Sequence, residues 1–310
     1  MDRLEAMSML VSVTETGSLS AAARRLHVPL ATLSRKISEL EARLGARLLI
    51  RTTRKLTLTD AGVAYVAAAR RILEQVEEAE HAAAGEFTAP KGELVVTAPI
   101  MFGRLHVLPV VAEFLAAFPA IDVRLVLSDR QVNLVDDHVD MAVRIGHLPD
   151  SSMVATAIGT MRMVTCASPA LLAAKGTPQE PADLLRLPCV VVDTPLPAPS
   201  WRFRQPRSGA PVDVSVRPRL SVTTTEAAAD AASLSVGVTR LLHYQAVDAI
   251  GRDALRIVLQ AHEPEPAPVH LVHVSRGQMP LKMRRFLDFA APRLRRAIEA
   301  GQGASAPSSV

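Results

Sequence analysis

The chain is poor in cysteine. Cys166 and Cys189 are the only two in 310 residues, too few for a disulfide framework and without neighbours at metal-ligand spacing. They read as small buried apolar residues. No run of about 18 uncharged apolar residues occurs, so no membrane span and no membrane partner is expected. The opening MDRLEAMSML has charges of both signs and neither a signal h-region nor a cleavage site, and a cytoplasmic chain is expected. There is no glycine-rich phosphate loop. Ser34 and Ser168 sit in no nucleophile elbow. His262, His270 and His273 around the last strand lack the spacing of a metal site. An enzyme is not expected, nor a cofactor or a metal.

What is present is an uneven charge. The net charge is +4 overall. Residues 1–62 hold ten Lys/Arg against six Asp/Glu, and the remainder holds 25 of each. Within 24–55, nine basic residues face only Glu39 and Glu41. The excess therefore belongs to the first fifth of the chain, which suggests a polyanion-binding end on a neutral body.

Leu4, Met7, Leu10, Val11 and Val13 give one helical face. Gly17 and Ser18 read as helix stop and start, and Ala21–Leu26 as a short second helix. Pro29 breaks the chain. Leu33, Ile37, Leu40 and Leu44 then share one face of a third helix that ends at Gly45. The strand-like 48–50 and 56–58 enclose Arg51, Arg54 and Lys55, a hairpin with a basic tip. Thr59-Asp60 caps an Ala-rich helix to about Gly85. There Val63, Val66, Ala69 (or Arg70), Leu73 and Val76 fall near heptad spacing and suggest a dimer seam. After the linker-like Pro90-Lys91-Gly92, strands and helices alternate. ELVVTA, IDVRLVLS, VDMAVRIG, MVTCA, CVVVD and PVHLVHVS read as strands of mostly parallel sheets. Helices are expected at 105–118, 170–175, 226–234, 241–251 and 281–298.

Two short helices across a tight break form a helix-turn-helix when the second can enter the major groove. Leu33, Ile37 and Leu40 would hold the third helix on its domain. Ser20, Leu30, Thr32, Ser34, Arg35 and Lys36 would be offered to DNA, with Arg24 and Arg25 near the backbone. The wing's Arg51, Arg54 and Lys55 would reach phosphates or a minor groove.

The run GSLSAAARRLHVPLATLSRKISELEARLGARLLIRTTRKLTLTDAG resembles the DNA-binding domain of the LysR-type transcriptional regulators nearly position by position. TAPIMFGRLHVLPVV, LSDRQVNLVDDHVDMAVRIGHLPDSS and CASPALLA resemble that family's effector domain. The resemblance implies an α/β chain with an N-terminal winged helix-turn-helix (1–59), a dimerising linker helix (60–89) and a two-lobed, periplasmic-binding-protein-like effector domain (90–300). Lobe 1 would take 90–162 and 268–300, lobe 2 163–267, and 301–310 would be a disordered tail. The resemblance further implies promoter DNA, a small-molecule effector and a homodimer or homotetramer as partners, with RNA polymerase a further candidate. Ser34-Arg35 match the family's recognition-helix pair, and Arg51 and Arg54 its wing arginines. His27-Val28-Pro29-Leu30 departs from the family's Gly-Val-Ser-Gln. Leu30 can offer only apolar contact, such as to a thymine methyl.

The family pattern places effector walls at Thr97, Pro99, Met101 and Phe102, at Arg144 and Gly146, at Asp193 and at Thr224. Free N–H groups at the helix start after Thr97 favour an anion, so a small carboxylate or aromatic acid is the expected effector. A solute-binding protein and a nucleoid-type DNA coat are the alternatives. The basic winged end speaks against the first, and the large C-terminal body against the second.

Overall fold

The computed structural model describes residues 2–51, 56–83, 89–130, 132–148, 153–192, 200–274 and 279–303. The chain forms two compact units, Met1–Gly92 and Glu93–Val310.

In the first unit, α1 (Arg3–Thr16) starts where the Asp2 carboxylate accepts the Leu4 N–H at 2.9 Å. It stops at Gly17, whose φ of 64° suits a residue without Cβ. Ser18 caps α2 (Leu19–Arg25). His27 turns the chain through a left-handed φ of 53°, a strained conformation for a residue with a side chain. Pro29 then leads into α3 (Leu30–Leu44) without a side-chain cap. Strands β1 (Leu49–Arg51) and β2 (Leu56–Leu58) pair antiparallel. Thr59 Oγ accepts the Gly62 N–H at 2.9 Å and caps α4 (Asp60–Ala83).

Leu10, Val13, Ala22, Leu33, Ile37, Leu40, Leu48 and Val66 are buried together. Each large side chain among them contributes about 1.5–3 kcal/mol. Two expectations change here. The buried face of α1 is Ala6, Met9, Leu10 and Val13, while Leu4 is exposed. In α4, Val66 and Ala69 are spent on burial within their own unit, whereas Val63 and Ile72 stay exposed. A seam through Val66 would have to empty that core, so the exposed apolar positions are the ones free to meet a partner.

The second unit contains two five-stranded sheets. In chain order its elements are β3 (Gly92–Ala98), α5 (Ile100–Phe102), a π-helical turn (Gly103–Val107), α6 (Leu108–Ala117), β4 (Ile121–Leu127), β5 (Met141–Ile145) and β6 (Met153–Met161). Then come β7 (Met163–Ala167), α7 (Pro169–Lys175), β8 (Cys189–Val192), β9 (Ser200–Arg204), β10 (Pro211–Ser215), β11 (Pro218–Val222) and α8 (Thr225–Ser233). β12 (Val238–Leu242), α9 (His243–Gly251), β13 (Arg256–Val258), β14 (Ala267–Val274) and α10 (Leu281–Gly303) complete it. Lobe 1 has the order β4-β3-β5-β14-β6 and lobe 2 the order β11-β8-β12-β7-β13.

Both sheets are mixed and not mostly parallel. β14 runs antiparallel to β5 and β6, and β7 antiparallel to β12 and β13. Strands β6 and β9 to β13 add to the expected set; β13 has only three residues and β9 carries two arginines, whereas β6 is long but rich in Ala, Thr and Gly. The helix expected from Leu105 begins at Ile100, and that expected from Leu241 begins at His243. α10 reaches Gly303, so residues 301–303 are helical and not tail; 304–310 lie outside the described residues.

In lobe 1, Phe102, Val107, Val111 and Phe114 from the α5–α6 helix and Phe286, Leu294 and Ile298 from α10 cover one face of the sheet. Residues 100–117 are apolar and long enough to cross a membrane, but these side chains lie in the lobe's own core. The opposite face is covered by the segment after β4, through Leu134 and Val139 on Val95, Ala142 and Val272. In lobe 2, the alanines of α8 and α9 lie on one face, and Leu171, Leu184, Trp201 and Phe203 on the other.

Candidate nucleic-acid interface and effector cleft

Helix α3 is buried along Leu33, Ile37 and Leu40 and offers its other faces to solvent. Leu30 at its first turn is 45% exposed. Ser20, Arg24 and Arg25 on α2 and Arg35 on α3 are exposed, and Thr32 and Ser34 are half-buried. Arg25 pairs with Glu15 at 2.6 Å, and Arg35 with Glu39 one turn on at 2.7 Å. Both pairs are solvated and weak enough to exchange for phosphate. Lys36 differs, being half-buried and paired with Glu5 of α1. That pair ties α3 to α1. Glu41 accepts the Leu48 and Leu49 N–H groups at 2.7 and 3.0 Å and fixes the root of the hairpin. The side chain of Arg51, and Arg54 and Lys55 altogether, lie outside the described residues.

The expected effector residues do not form one surface. Thr97 is buried, and its hydroxyl donates to the Val126 carbonyl at 2.8 Å. Phe102 is fully buried, so it offers a ligand no open contact. Met101 is also buried, and Pro99 is half-buried at the helix start. The Ile100 N–H at that start is not free, because the Asp129 carboxylate accepts it at 3.0 Å. A ligand carboxylate would have to displace Asp129 there. Arg144 projects to the sheet face shared with Ala142, and its guanidinium donates to the Val132 carbonyl. Gly146 takes a φ of 109°, which favours glycine, and donates its N–H to the Pro268 carbonyl at 2.8 Å. Thr224 caps α8 by accepting the Ala227 N–H. Asp193 lies outside the described residues.

Long-range contacts at the lobe junction had no signal in the sequence. The chain passes between the sheets at Arg162 and again in 259–266. Arg162 and Glu263, one on each crossover, form a two-pronged ion pair at 2.9 and 3.0 Å. Tyr244 of α9 meets Phe102 edge-on at 5.6 Å and His106 at 5.7 Å. Burial raises the Tyr244 hydroxyl well above the usual tyrosine range, with the charges of Asp129 and Glu226 adding to it. Burial also lowers His106 below the usual histidine range. Both groups are neutral near pH 7. The Cys166 thiol is pushed up to about 12 and that of Cys189 to about 11, chiefly by burial, so both are poor nucleophiles.

Residues 4–63 match the model of the bacterial regulatory helix-turn-helix protein, lysR family, and residues 88–295 that of the LysR substrate binding domain. The chain is 32% identical over 287 residues to the probable HTH-type transcriptional regulator LtrA of Klebsiella pneumoniae, covering 91% of this chain and 92% of that protein. It is 29% identical to the transcriptional activator AaeR of Escherichia coli, over 92% of this chain and 91% of the relative. Among solved structures, CrgA of Neisseria meningitidis, a LysR-type transcriptional regulator, aligns at 30% identity and a TM-score of 0.59, covering 94% of this chain and 98% of that one. AphB of Vibrio cholerae aligns at 26% identity and 0.58, covering 93% and 98%. With both of its units matched, the chain belongs to the LysR family of bacterial transcriptional regulators.

Proposed function

We propose that this regulator recognises a specific promoter sequence as a homodimer or homotetramer and changes its grip when a small acid occupies the effector domain. The carrying observation is the split face of α3. Leu33, Ile37 and Leu40 are buried while Leu30 and Arg35 stand out beside Arg24 and Arg25. Such a helix can enter a major groove without disturbing its own core, with arginines meeting phosphates and Leu30 reading shape or a methyl group. The second unit supplies two lobes whose crossovers are pinned by Arg162–Glu263, a natural place for closure to be coupled to ligand. A carboxylate or aromatic acid suits the family position of Arg144. RNA polymerase is a candidate partner through promoter proximity.

The test is a titration of the chain on its own upstream intergenic DNA against unrelated DNA of equal length, at several salt concentrations. The proposal expects a preference of at least ~10³-fold for the upstream DNA. Equal binding to both, lost together as salt rises, would refute sequence recognition.

A further inference from the structure

We propose that His27, in the turn between α2 and α3, is a DNA-backbone contact whose ring N–H donates to a phosphate at the edge of the groove that α3 enters. The inference rests on the reading of α3 as the recognition helix and adds a residue outside that helix. His27 occupies the left-handed position that ends α2, with a φ of 53°. Its N–H donates to the Arg24 carbonyl at 3.2 Å, and the Val28 N–H donates to the Ala23 carbonyl at 3.0 Å. These are the paired bonds of a helix end that favours glycine. A side chain at such a position costs stability that glycine would not.

Among the described residues, nothing offsets that cost. Leu26 and Val28 on either side pack against the unit's buried cluster, whereas His27 between them is exposed. Its ring has no hydrogen bond or ion pair among those residues. A strained backbone that displays an idle side chain points to a use outside the fold. The surroundings indicate what lies there. Arg24, three positions earlier, is exposed and likewise without a side-chain partner among the described residues. Leu30, three positions later, is exposed and opens α3. No Asp or Glu lies between Glu15 and Glu39, so the helix pair and its turn carry cations and no carboxylate of their own. A polyanion suits that surface, and an imidazole offers it an N–H donor in either tautomer. Phosphate contacts fix how a helix is seated on the duplex and leave base choice to the groove. A phosphate held by His27 therefore sets the approach of the first turn of α3, where Leu30 stands.

The test compares His27→Gly and His27→Asn with the wild-type full chain, by fluorescence anisotropy on the upstream intergenic DNA and on an unrelated duplex at low salt. Every duplex carries phosphates, so the outcome stands even if the wild type binds the two equally and promoter recognition fails. His27→Gly is expected to raise the melting temperature by about 2–5 °C while weakening binding to both duplexes about tenfold. His27→Asn tolerates a left-handed backbone and keeps an N–H donor, and should bind within about threefold of wild type. The proposal is overturned if His27→Gly binds both duplexes as wild type does, if its melting temperature falls, or if His27→Asn binds as weakly as His27→Gly. A loss confined to the upstream DNA would make His27 a reader of bases and overturn the phosphate assignment.

Discussion

The two units solve the folding problem over different distances. In the N-terminal unit each element lies beside its sequence neighbours, and one buried cluster joins α1, α2, α3, the hairpin and the start of α4. In the C-terminal unit, lobe 1 is finished only when β14 and α10 return from beyond lobe 2 to pack against residues some 110 to 190 positions earlier. The first unit concentrates positive charge in one segment, 24–55, where nine basic residues face two acidic ones. The second has no such segment and places its two-pronged ion pair, Arg162–Glu263, at the lobe junction. A binder of DNA needs a small rigid platform with a charged rim. A domain that answers a ligand needs two bodies with few crossovers, which a chain obtains by leaving a sheet and coming back.

This contrast is open to attack in order of effect. Leu33→Ala and Phe286→Ala each empty a fully buried site and should cost about 2–5 kcal/mol. In calorimetry, Leu33→Ala is expected to lower only the transition that also abolishes DNA binding, and Phe286→Ala only the other. A single shared transition shifted by both would break the two-unit picture. Arg162→Ala leaves Glu263, 15% exposed, without its partner and should cost about 1–3 kcal/mol, read by urea unfolding of the C-terminal unit. An unchanged midpoint would remove the pair from the lobe junction's energetics.

The linker helix separates packing from assembly. Val66→Asp should unfold the N-terminal unit, whereas Ile72→Asp, at an exposed apolar position, should leave it folded and shift light scattering toward monomer. An intact oligomer with Ile72→Asp would place the seam elsewhere. The smallest effects lie on the DNA face. Arg35→Ala should weaken binding and, if it meets phosphate, reduce the salt slope by about one. Lys36→Ala should leave that slope unchanged and cost the fold under about 1 kcal/mol.

The DNA-binding unit was legible because its determinants are local. Gly17, Ser18, Pro29 and Gly45 punctuate the helices, and Leu33, Ile37 and Leu40 repeat at helical spacing. Each of these signals spans a few residues, and the structure alters only register, as with Leu4 on α1. The effector unit was legible as alternating strands and helices but not as mixed sheets, since strand direction is decided by where the chain returns. Of the expected effector residues, Thr97 and Thr224 spend their hydroxyls on the backbone, Phe102 is sealed in, and Arg144 faces the outer side of the sheet. Asp129 could have been noticed as an acidic residue just past a strand, but its hold on Ile100 N–H spans 29 positions.

The fold of the first unit, the family and the helix-turn-helix end are all written in short stretches of the sequence. Helix caps, helical periodicity and charge segregation act within one or two turns, so they are written in consecutive residues. Long-range packing, by contrast, puts Val66 in a core, sets Lys36 beside Glu5, brings Asp129 to the helix start and turns Arg144 to the Val132 carbonyl. Those outcomes depend on which distant atom arrives at each group, and burial then sets whether a charge is shared with water, with a neighbour or with a ligand.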